Sequence, residues 1–74
     1  MFSGKLIKKA RADRGLKAHF VAKKAYISPW YLSMIENGKR TPTLETLQAI
    51  ADAVGIDVTE FFLALEVSDS LDIG

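Results

Sequence analysis

Basic side chains carry the clearest chemical signal in this sequence of 74 residues. Residues 1–40 contain all ten lysines and arginines and only two acidic residues, a net charge of +8. Residues 41–74 contain seven acidic residues and no basic one, a net charge of −7. Because lysine and arginine neutralise phosphates, this asymmetry favours a basic half that meets a polyanion and an acidic half held away from it. The alternative is that the charges only solvate helix faces.

Catalytic and metal chemistry have little support among the residue types. The sequence has no cysteine, and a zinc site built around its one histidine, His19, would depend largely on carboxylates. We find no nucleophile–base pair and no glycine-rich phosphate loop. We therefore expect no enzyme activity, no cofactor and no metal. For His19 we expect an exposed imidazole, with a phosphate contact below roughly pH 6.5 as the functional alternative.

The size and composition of the chain indicate one small globular domain. Hydrophobic residues make up 49% and charged residues 26% of the sequence, which is ordinary for a globular protein. No apolar run approaches the roughly 20 residues that span a bilayer, and no secretory signal is recognisable. We expect a cytoplasmic domain over residues 1–67, without membrane association, and a flexible acidic tail over residues 68–74.

Prolines and glycines divide a sequence whose pattern is helical throughout, which predicts the all-α class. Ser28 and Thr43 suit helix N-caps, and Pro29 suits the first helical position because its missing N–H would have no partner there. Gly15 and Gly55 can take the left-handed conformation that ends helices. The predicted helices cover about residues 4–14, 18–25, 29–37, 44–54 and 58–66.

Apolar residues recur at helical spacing and are predicted to share one core. Asp57 followed by Glu60 matches a capping box at the start of the fifth helix. The residues predicted to face inward are Ile7, Ala10, Val21, Ala22, Ala25, Ile27, Leu32, Ile35, Leu44, Leu47, Ile50, Ala51, Val54, Val58, Phe61, Phe62 and Leu65.

Only three residues, 26–28, separate the second predicted helix from the third. A close crossing of two helices needs a small side chain, which Ala22 supplies. This is helix-turn-helix geometry, in which the second helix can enter a major groove about 12 Å wide. A tight helical corner within an ordinary bundle is the alternative.

The segment ISPWYLSMIENGKRTPTLETLQAIADAVGI, residues 27–56, resembles the Cro/repressor-type (xenobiotic response element, XRE) helix-turn-helix family. The resemblance extends over residues 4–62. It implies a compact five-helix, lambda-repressor-like domain that binds double-stranded operator DNA, usually as a symmetric dimer. The function implied is that of a bacterial or phage transcriptional regulator, most simply a repressor associated with the nucleoid.

The resemblance also implies roles for individual residues, with residues 28–37 as the recognition helix. Arg11 and Glu36 match a pair that joins the first helix to the third, although an ordinary surface charge is the alternative for Arg11. The positions facing bases are Pro29, Trp30, Ser33 and Met34. The positions expected at the DNA backbone are Arg11, Lys17, Ser28, Tyr31, Asn37, Lys39 and Arg40.

Three positions depart from the family pattern near the turn. The family commonly has Gln at Ala18, where the amide contacts phosphate, and Ser or Thr at Lys17, where the side chain caps the second helix. It often has Gly at Tyr26. If the backbone of Tyr26 has a positive φ, the residue stores about 1 kcal/mol of strain. The alternative is that the second helix runs slightly further and the turn differs.

The base-facing set is largely apolar. Pro29, Trp30 and Met34 cannot make the bidentate hydrogen bonds that discriminate bases, although they can touch thymine methyls. We therefore expect thin direct readout, with DNA shape supplying more of the specificity. Partial burial of Trp30 and Met34 is one alternative. Another is that they form an apolar patch with Phe20 and Tyr26 that binds a protein, as an antirepressor or antitoxin-like partner would.

The fifth predicted helix is apolar around much of its circumference, which predicts a homodimer related by a two-fold axis. Such a dimer would hold two recognition helices about 34–36 Å apart. The alternative is that its outer apolar residues are merely exposed. The predicted interface consists of Phe61, Leu63, Leu65 and Val67.

Overall fold

The computed structural model describes residues 2–62, and it contains four α-helices and one 3₁₀ turn. The predicted bounds of the four α-helices agree to within one residue, and the all-α class is confirmed. Within residues 2–62 no helix has the length and apolar character needed to cross a membrane. The predicted acidic tail, 68–74, lies outside the described residues. The elements are α1 (Gly4–Asp13), α2 (Ala18–Lys24), α3 (Pro29–Glu36), α4 (Leu44–Val54) and the 3₁₀ turn (Val58–Phe61).

Local capping defines the starts of α3 and α4 as predicted, whereas Ser3, a possible cap of α1 from the sequence, precedes that helix without a side-chain cap hydrogen bond. The Ser28 hydroxyl accepts a hydrogen bond from the Tyr31 N–H at 3.0 Å, and the Thr43 hydroxyl accepts one from the Thr46 N–H at 3.1 Å. Each cap stabilises its helix by about 1 kcal/mol. Gly55 follows α4 with φ of 90°, where a side chain would be strained. The hydrogen bond between Ser28 and Tyr31 therefore fixes the start of α3 through residues close to one another in the sequence.

The core is built mainly by the inward faces of the four helices. α2 packs on α3 and α4, while α1 packs on α3. Leu44 was predicted to face inward, and this was wrong: its side chain is 67% exposed. Leu44 is the first residue of α4, one turn before the helix meets the core at Leu47. The buried apolar residues are Ile7, Val21, Ala22, Ala25, Leu32, Ile35, Leu47, Ile50, Ala51, Val54 and Phe61.

The prediction of an α-helix over residues 58–66 was wrong in its described part. Val58–Phe61 is a 3₁₀ turn, and Phe62 is extended with φ −101° and ψ 143°. The cause is the N-terminal segment: Phe2 pairs with Phe62 in an antiparallel bridge, and their rings meet edge to face at 6.4 Å. The Ser3 N–H also donates to the Phe61 carbonyl at 3.0 Å. Residues 63–66 lie outside the described part of the chain.

Gly4 marks the closest approach between α1 and α3. It is buried, and a Cβ at this position would overlap the backbone carbonyl oxygen of Ile35. Only glycine therefore allows the start of α1 to lie against the end of α3. This contact fixes the position of the C-terminal end of α3.

Candidate nucleic-acid interface

The turn between α2 and α3 is tight, with a single left-handed residue at its centre. Tyr26 has φ of 61°, which is the first of the two alternatives left open for this turn, and the residue is 94% exposed. The Ile27 N–H donates to the Ala22 carbonyl at 3.0 Å, which closes the turn. Ala22 itself is fully buried. The pair of helices therefore has the predicted helix-turn-helix arrangement.

α3 has one buried face and one outward face. Leu32, Ile35 and Glu36 are buried on the inner side. Trp30 is 62% exposed, so the alternative that it is tucked against neighbouring helices does not hold. Met34 is half-buried, which agrees in part with that alternative. The four predicted base-facing residues form two pairs spaced four apart, which places them on one side of the helix: Pro29 with Ser33, and Trp30 with Met34.

Two serine hydroxyls on and beside this face already accept hydrogen bonds within the chain. The Ser33 hydroxyl accepts a hydrogen bond from the Asn37 side-chain amide at 3.3 Å. The Ser28 hydroxyl serves as the N-cap of α3. Ser28 and Asn37 are exposed, while Tyr31 is half-buried against the core. Two side-chain donors remain among the four base-facing residues, the indole N–H of Trp30 and the O–H of Ser33, which only accepts in its bond with Asn37.

Basic residues lie at both ends of the helix-turn-helix. Lys17 is exposed and immediately precedes α2. After α3 the chain turns back at Gly38, with φ of 76°, and the Lys39 and Arg40 N–H groups donate to the Met34 carbonyl at 2.8 and 3.3 Å. These hydrogen bonds hold the exposed Lys39 and Arg40 beside the end of α3. Cations in such positions suit phosphate contacts, which orient a protein on a duplex.

Arg11 and Glu36 form the pair that the family resemblance implied. Arg11 Nε and Nη2 donate to Glu36 Oε2 and Oε1 at 2.8 and 2.9 Å, and Nη1 donates to the Leu16 carbonyl at 3.1 Å. The side chains are only 15% and 6% exposed, so Arg11 is not an ordinary surface charge. The hydrogen bond to Glu36 raises the pKa of Arg11, against the opposing effect of burial. A phosphate contact by Arg11 stays a prediction, and it would use the guanidinium N–H groups outside these three bonds.

Phe61 was assigned to the dimer interface, and this was wrong. Its side chain is fully buried in the core of the single chain, so it has no surface left for a partner. Leu63, Leu65 and Val67, the other predicted interface residues, lie outside the described residues. No three His, Asp or Glu side chains between residues 2 and 62 are grouped closely enough to hold a metal ion.

Two lysines that sequence reasoning missed lie near the end of α3. Lys5 and Lys8 line a groove together with Asn37 and Gly38. No local pattern could have shown this, since about 30 residues separate the two sides of the groove in sequence. The close helix crossing at Gly4 brings them together.

The comparisons with known proteins agree with this geometry. The family described as "Helix-turn-helix" matches residues 7–61. The chain therefore belongs to the Cro/repressor-type helix-turn-helix family, whose members are DNA-binding regulators.

Individual relatives match over most of this chain. The HTH-type transcriptional regulator DdrOP3 of Deinococcus deserti is 40% identical over 60 residues, which are 81% of this chain and 46% of that protein. The immunity repressor protein of Bacillus phage phi105 is 42% identical over 59 residues, 80% of this chain and 41% of that protein. The chain thus spans less than half the length of both relatives.

The crystal structure of the restriction-modification controller protein C.AhdI from Aeromonas hydrophila is similar in fold. It superposes with a TM-score of 0.77 at 25% identity and covers 80% of this chain and 89% of that one.

Proposed function

We propose that this chain is a sequence-specific DNA-binding transcriptional regulator that represses by occupying a short pseudo-palindromic operator as a dimer. The observation that carries the proposal is the outward face of α3, with Trp30 62% exposed, between exposed cations at Lys17 and at Lys39 and Arg40. The names of the two relatives, a transcriptional regulator and an immunity repressor, support the same function.

In the proposed complex, α3 enters the major groove and the flanking cations contact the two sugar–phosphate backbones. Each neutralised phosphate releases counterions, so affinity for any duplex falls steeply as salt rises. Base contacts from α3 add specificity to this background. Binding, rather than catalysis, is the whole of the proposed activity, and it takes place where the DNA is, in the cytoplasm of a bacterium.

The proposed dimer presents two copies of α3 to half-sites about 34–36 Å apart. Leu63, Leu65 and Val67 remain the candidates for its interface, since Phe61 is used by the core of each chain. Sedimentation equilibrium at micromolar concentration is expected to give twice the chain mass of 8.2 kDa. A particle of 8.2 kDa alone would contradict the dimer without affecting the assignment of α3.

Selection from a library of randomised duplexes, repeated at two salt concentrations, tests the proposed function. The expected result is an enriched sequence with two related half-sites, bound at about 10⁻⁸–10⁻¹¹ M at physiological salt. The affinity for scrambled duplexes should fall with salt by several powers of ten. Absence of any enriched sequence would contradict specific binding.

Matched variants assign the two kinds of contact. Lys39→Ala and Arg40→Ala are expected to weaken binding to selected and scrambled duplexes alike. Trp30→Ala and Met34→Ala are expected to weaken the selected duplex more, because they remove contacts to bases. Equal losses on both duplexes for all four variants would refute the assignment of α3 as the recognition helix.

A protein-interaction module is the second candidate, favoured by the exposed aromatic residues on α2 and the turn. Phe20 and Tyr26 are 44% and 94% exposed. They line a shallow groove with Lys23 and Lys24, and Lys24 Nζ lies 5.6 Å from the centre of the Phe20 ring. A partner that binds this groove would lose affinity on Phe20→Ala. Competition between that partner and the selected duplex would indicate an antirepressor-like arrangement.

A further inference from the structure

We propose that the outward face of α3 recognises the C5-methyl group of pyrimidines, so that its half-site is defined by thymine, with 5-methylcytosine as an acceptable substitute. This inference rests on the proposed function and specifies what the site reads. Three of the four base-facing residues, Pro29, Trp30 and Met34, present hydrocarbon, ring or thioether surface. The fourth, Ser33, has its hydroxyl bonded to the Asn37 amide at 3.3 Å.

The chemistry of the groove floor explains why a methyl group is the expected target. In the major groove, purines and cytosine present hydrogen-bonding groups, whereas thymine adds an apolar methyl group. Burying a hydrogen-bonding group against apolar side chains without a partner is unfavourable. Trp30, which is 62% exposed, and the half-buried Met34 therefore favour the one apolar feature the groove offers.

The same surface cannot separate thymine from 5-methylcytosine efficiently. The two bases share the C5-methyl group and differ at position 4, where thymine has an acceptor and cytosine a donor. A bidentate side chain would sense that difference, and none is present among Pro29, Trp30 and Met34. Discrimination at position 4 is left to single hydrogen bonds from the Trp30 indole N–H or the Ser33 hydroxyl, and to water.

The ligand of the outward face of α3 is DNA rather than an apolar protein surface, because the side chains around this face are positively charged. The exposed cations Lys17, Lys39 and Arg40 lie at the two ends of the helix-turn-helix, and Lys5 and Lys8 line the groove beside the end of α3. A polyanion is the ligand that matches an apolar strip within such a basic surface.

Changes of single base substituents in the selected duplex test the inference. Replacing each thymine in turn by uracil removes only the methyl group. The expected result is a loss of affinity of about fourfold at one or more positions in each half-site, the factor that corresponds to burying one methyl group. At those positions 5-methylcytosine·guanine should bind within about twofold of thymine·adenine, and unmethylated cytosine·guanine should bind as weakly as uracil·adenine.

Protein variants show whether the effect comes from this face. The uracil effect should disappear in Trp30→Ala or Met34→Ala and persist in Tyr26→Ala, which removes an aromatic side chain that is 94% exposed in the turn before α3. Equal binding of uracil and thymine at every position would overturn the inference while leaving specific binding intact. A difference in affinity between thymine and uracil that persists in both Trp30→Ala and Met34→Ala would also overturn the inference. Failure to bind any duplex would overturn the proposed function and this inference together.

Discussion

Removing either partner of the Arg11–Glu36 pair is expected to destabilise the domain more than any other single change of charge. The two side chains are 15% and 6% exposed and share two hydrogen bonds of 2.8 and 2.9 Å. Arg11→Met leaves the Glu36 carboxylate buried without its cation, at a cost of about 3–5 kcal/mol. A domain of this length has an unfolding free energy of about 4–11 kcal/mol, so the variant would lose a large share of it.

The chain supplies a matched control for this prediction. Lys9 and Asp13 form an ion pair with the same N–O distance, 2.8 Å, but their side chains are 71% and 57% exposed. Lys9→Met should therefore cost less than about 1 kcal/mol, because water screens the exposed pair. The two pairs match in N–O distance and in the residue introduced, and they differ in burial and in the number of hydrogen bonds lost, three for Arg11 and one for Lys9.

Urea unfolding followed by far-ultraviolet circular dichroism measures both effects. The double variant Arg11→Met with Glu36→Leu is expected to be more stable than Arg11→Met alone, because no buried charge is left unpaired. If Arg11→Met costs no more than Lys9→Met, or if the double variant loses the sum of the two single losses, the pair does not hold α1 to α3 in the way described.

Three further changes probe the backbone and one carboxylate. Tyr26→Gly should raise the unfolding free energy by about 1 kcal/mol and the melting temperature by about 4–8 °C. The reason is that glycine relieves the positive φ, while loss of the exposed ring removes little packing. A lower melting temperature, or an equal gain in Tyr26→Ala, would contradict this. Gly4→Ala should lower the unfolding free energy by about 1–3 kcal/mol, although alanine favours helices, because its Cβ overlaps the Ile35 carbonyl; thermal unfolding of equal or higher midpoint would argue against the close crossing. The N–H and hydroxyl of Thr59 donate to Asp57, and they lower the pKa of that carboxyl. The stabilising contribution of the Asp57 carboxylate is therefore fully present above the ordinary pKa of aspartate and is lost as pH falls through the lowered pKa. A carboxyl NMR titration of Asp57 with an unshifted midpoint, or unchanged pH dependence of stability in Asp57→Asn, would refute this prediction.

Local signals predicted the helices and most of the core correctly. Ser28 and Thr43 accept the capping hydrogen bonds expected from their positions, because a cap depends only on residues within one turn. Gly15 and Gly55 have the left-handed φ expected after α1 and α4. The positive φ of Tyr26 was one of two alternatives raised by comparison with the family pattern, since no apolar periodicity encodes it.

Contacts between distant segments account for the errors. The extended Phe62 is paired with Phe2, sixty residues earlier, and nothing within residues 58–66 indicates that partner. The need for glycine at position 4 comes from Ile35 in α3. At the fifth predicted helix the capping box is incomplete as well, since the Asp57 carboxylate accepts from the Thr59 N–H rather than from that of Glu60. Periodicity indicates which side of an element is apolar, but it does not specify which other element packs against that side.

For the candidate site, the structure tests burial and exposure, and the roles assigned toward DNA stay predictions. The base-facing set on α3 was implied by the family resemblance, and Pro29, Trp30 and Ser33 are exposed, as a contact to bases requires. The burial of Phe61 could not be separated from exposure at a dimer interface, because both require an apolar residue. Lys5 and Lys8 were missed because they lie on α1, whereas their neighbours in the groove, Asn37 and Gly38, follow α3 about 30 residues later in the sequence.

Mapping of amide chemical shifts during titration with the selected duplex tests the assignment of α3 most directly. The largest changes are expected from Trp30 to Arg40 and at Lys17, together with a shift of the Trp30 indole N–H. The exposed side of α4, at Glu45, Gln48 and Asp52, should change little. Changes centred on α4, with the Trp30 indole signal unmoved, would contradict the placement of α3 in the major groove.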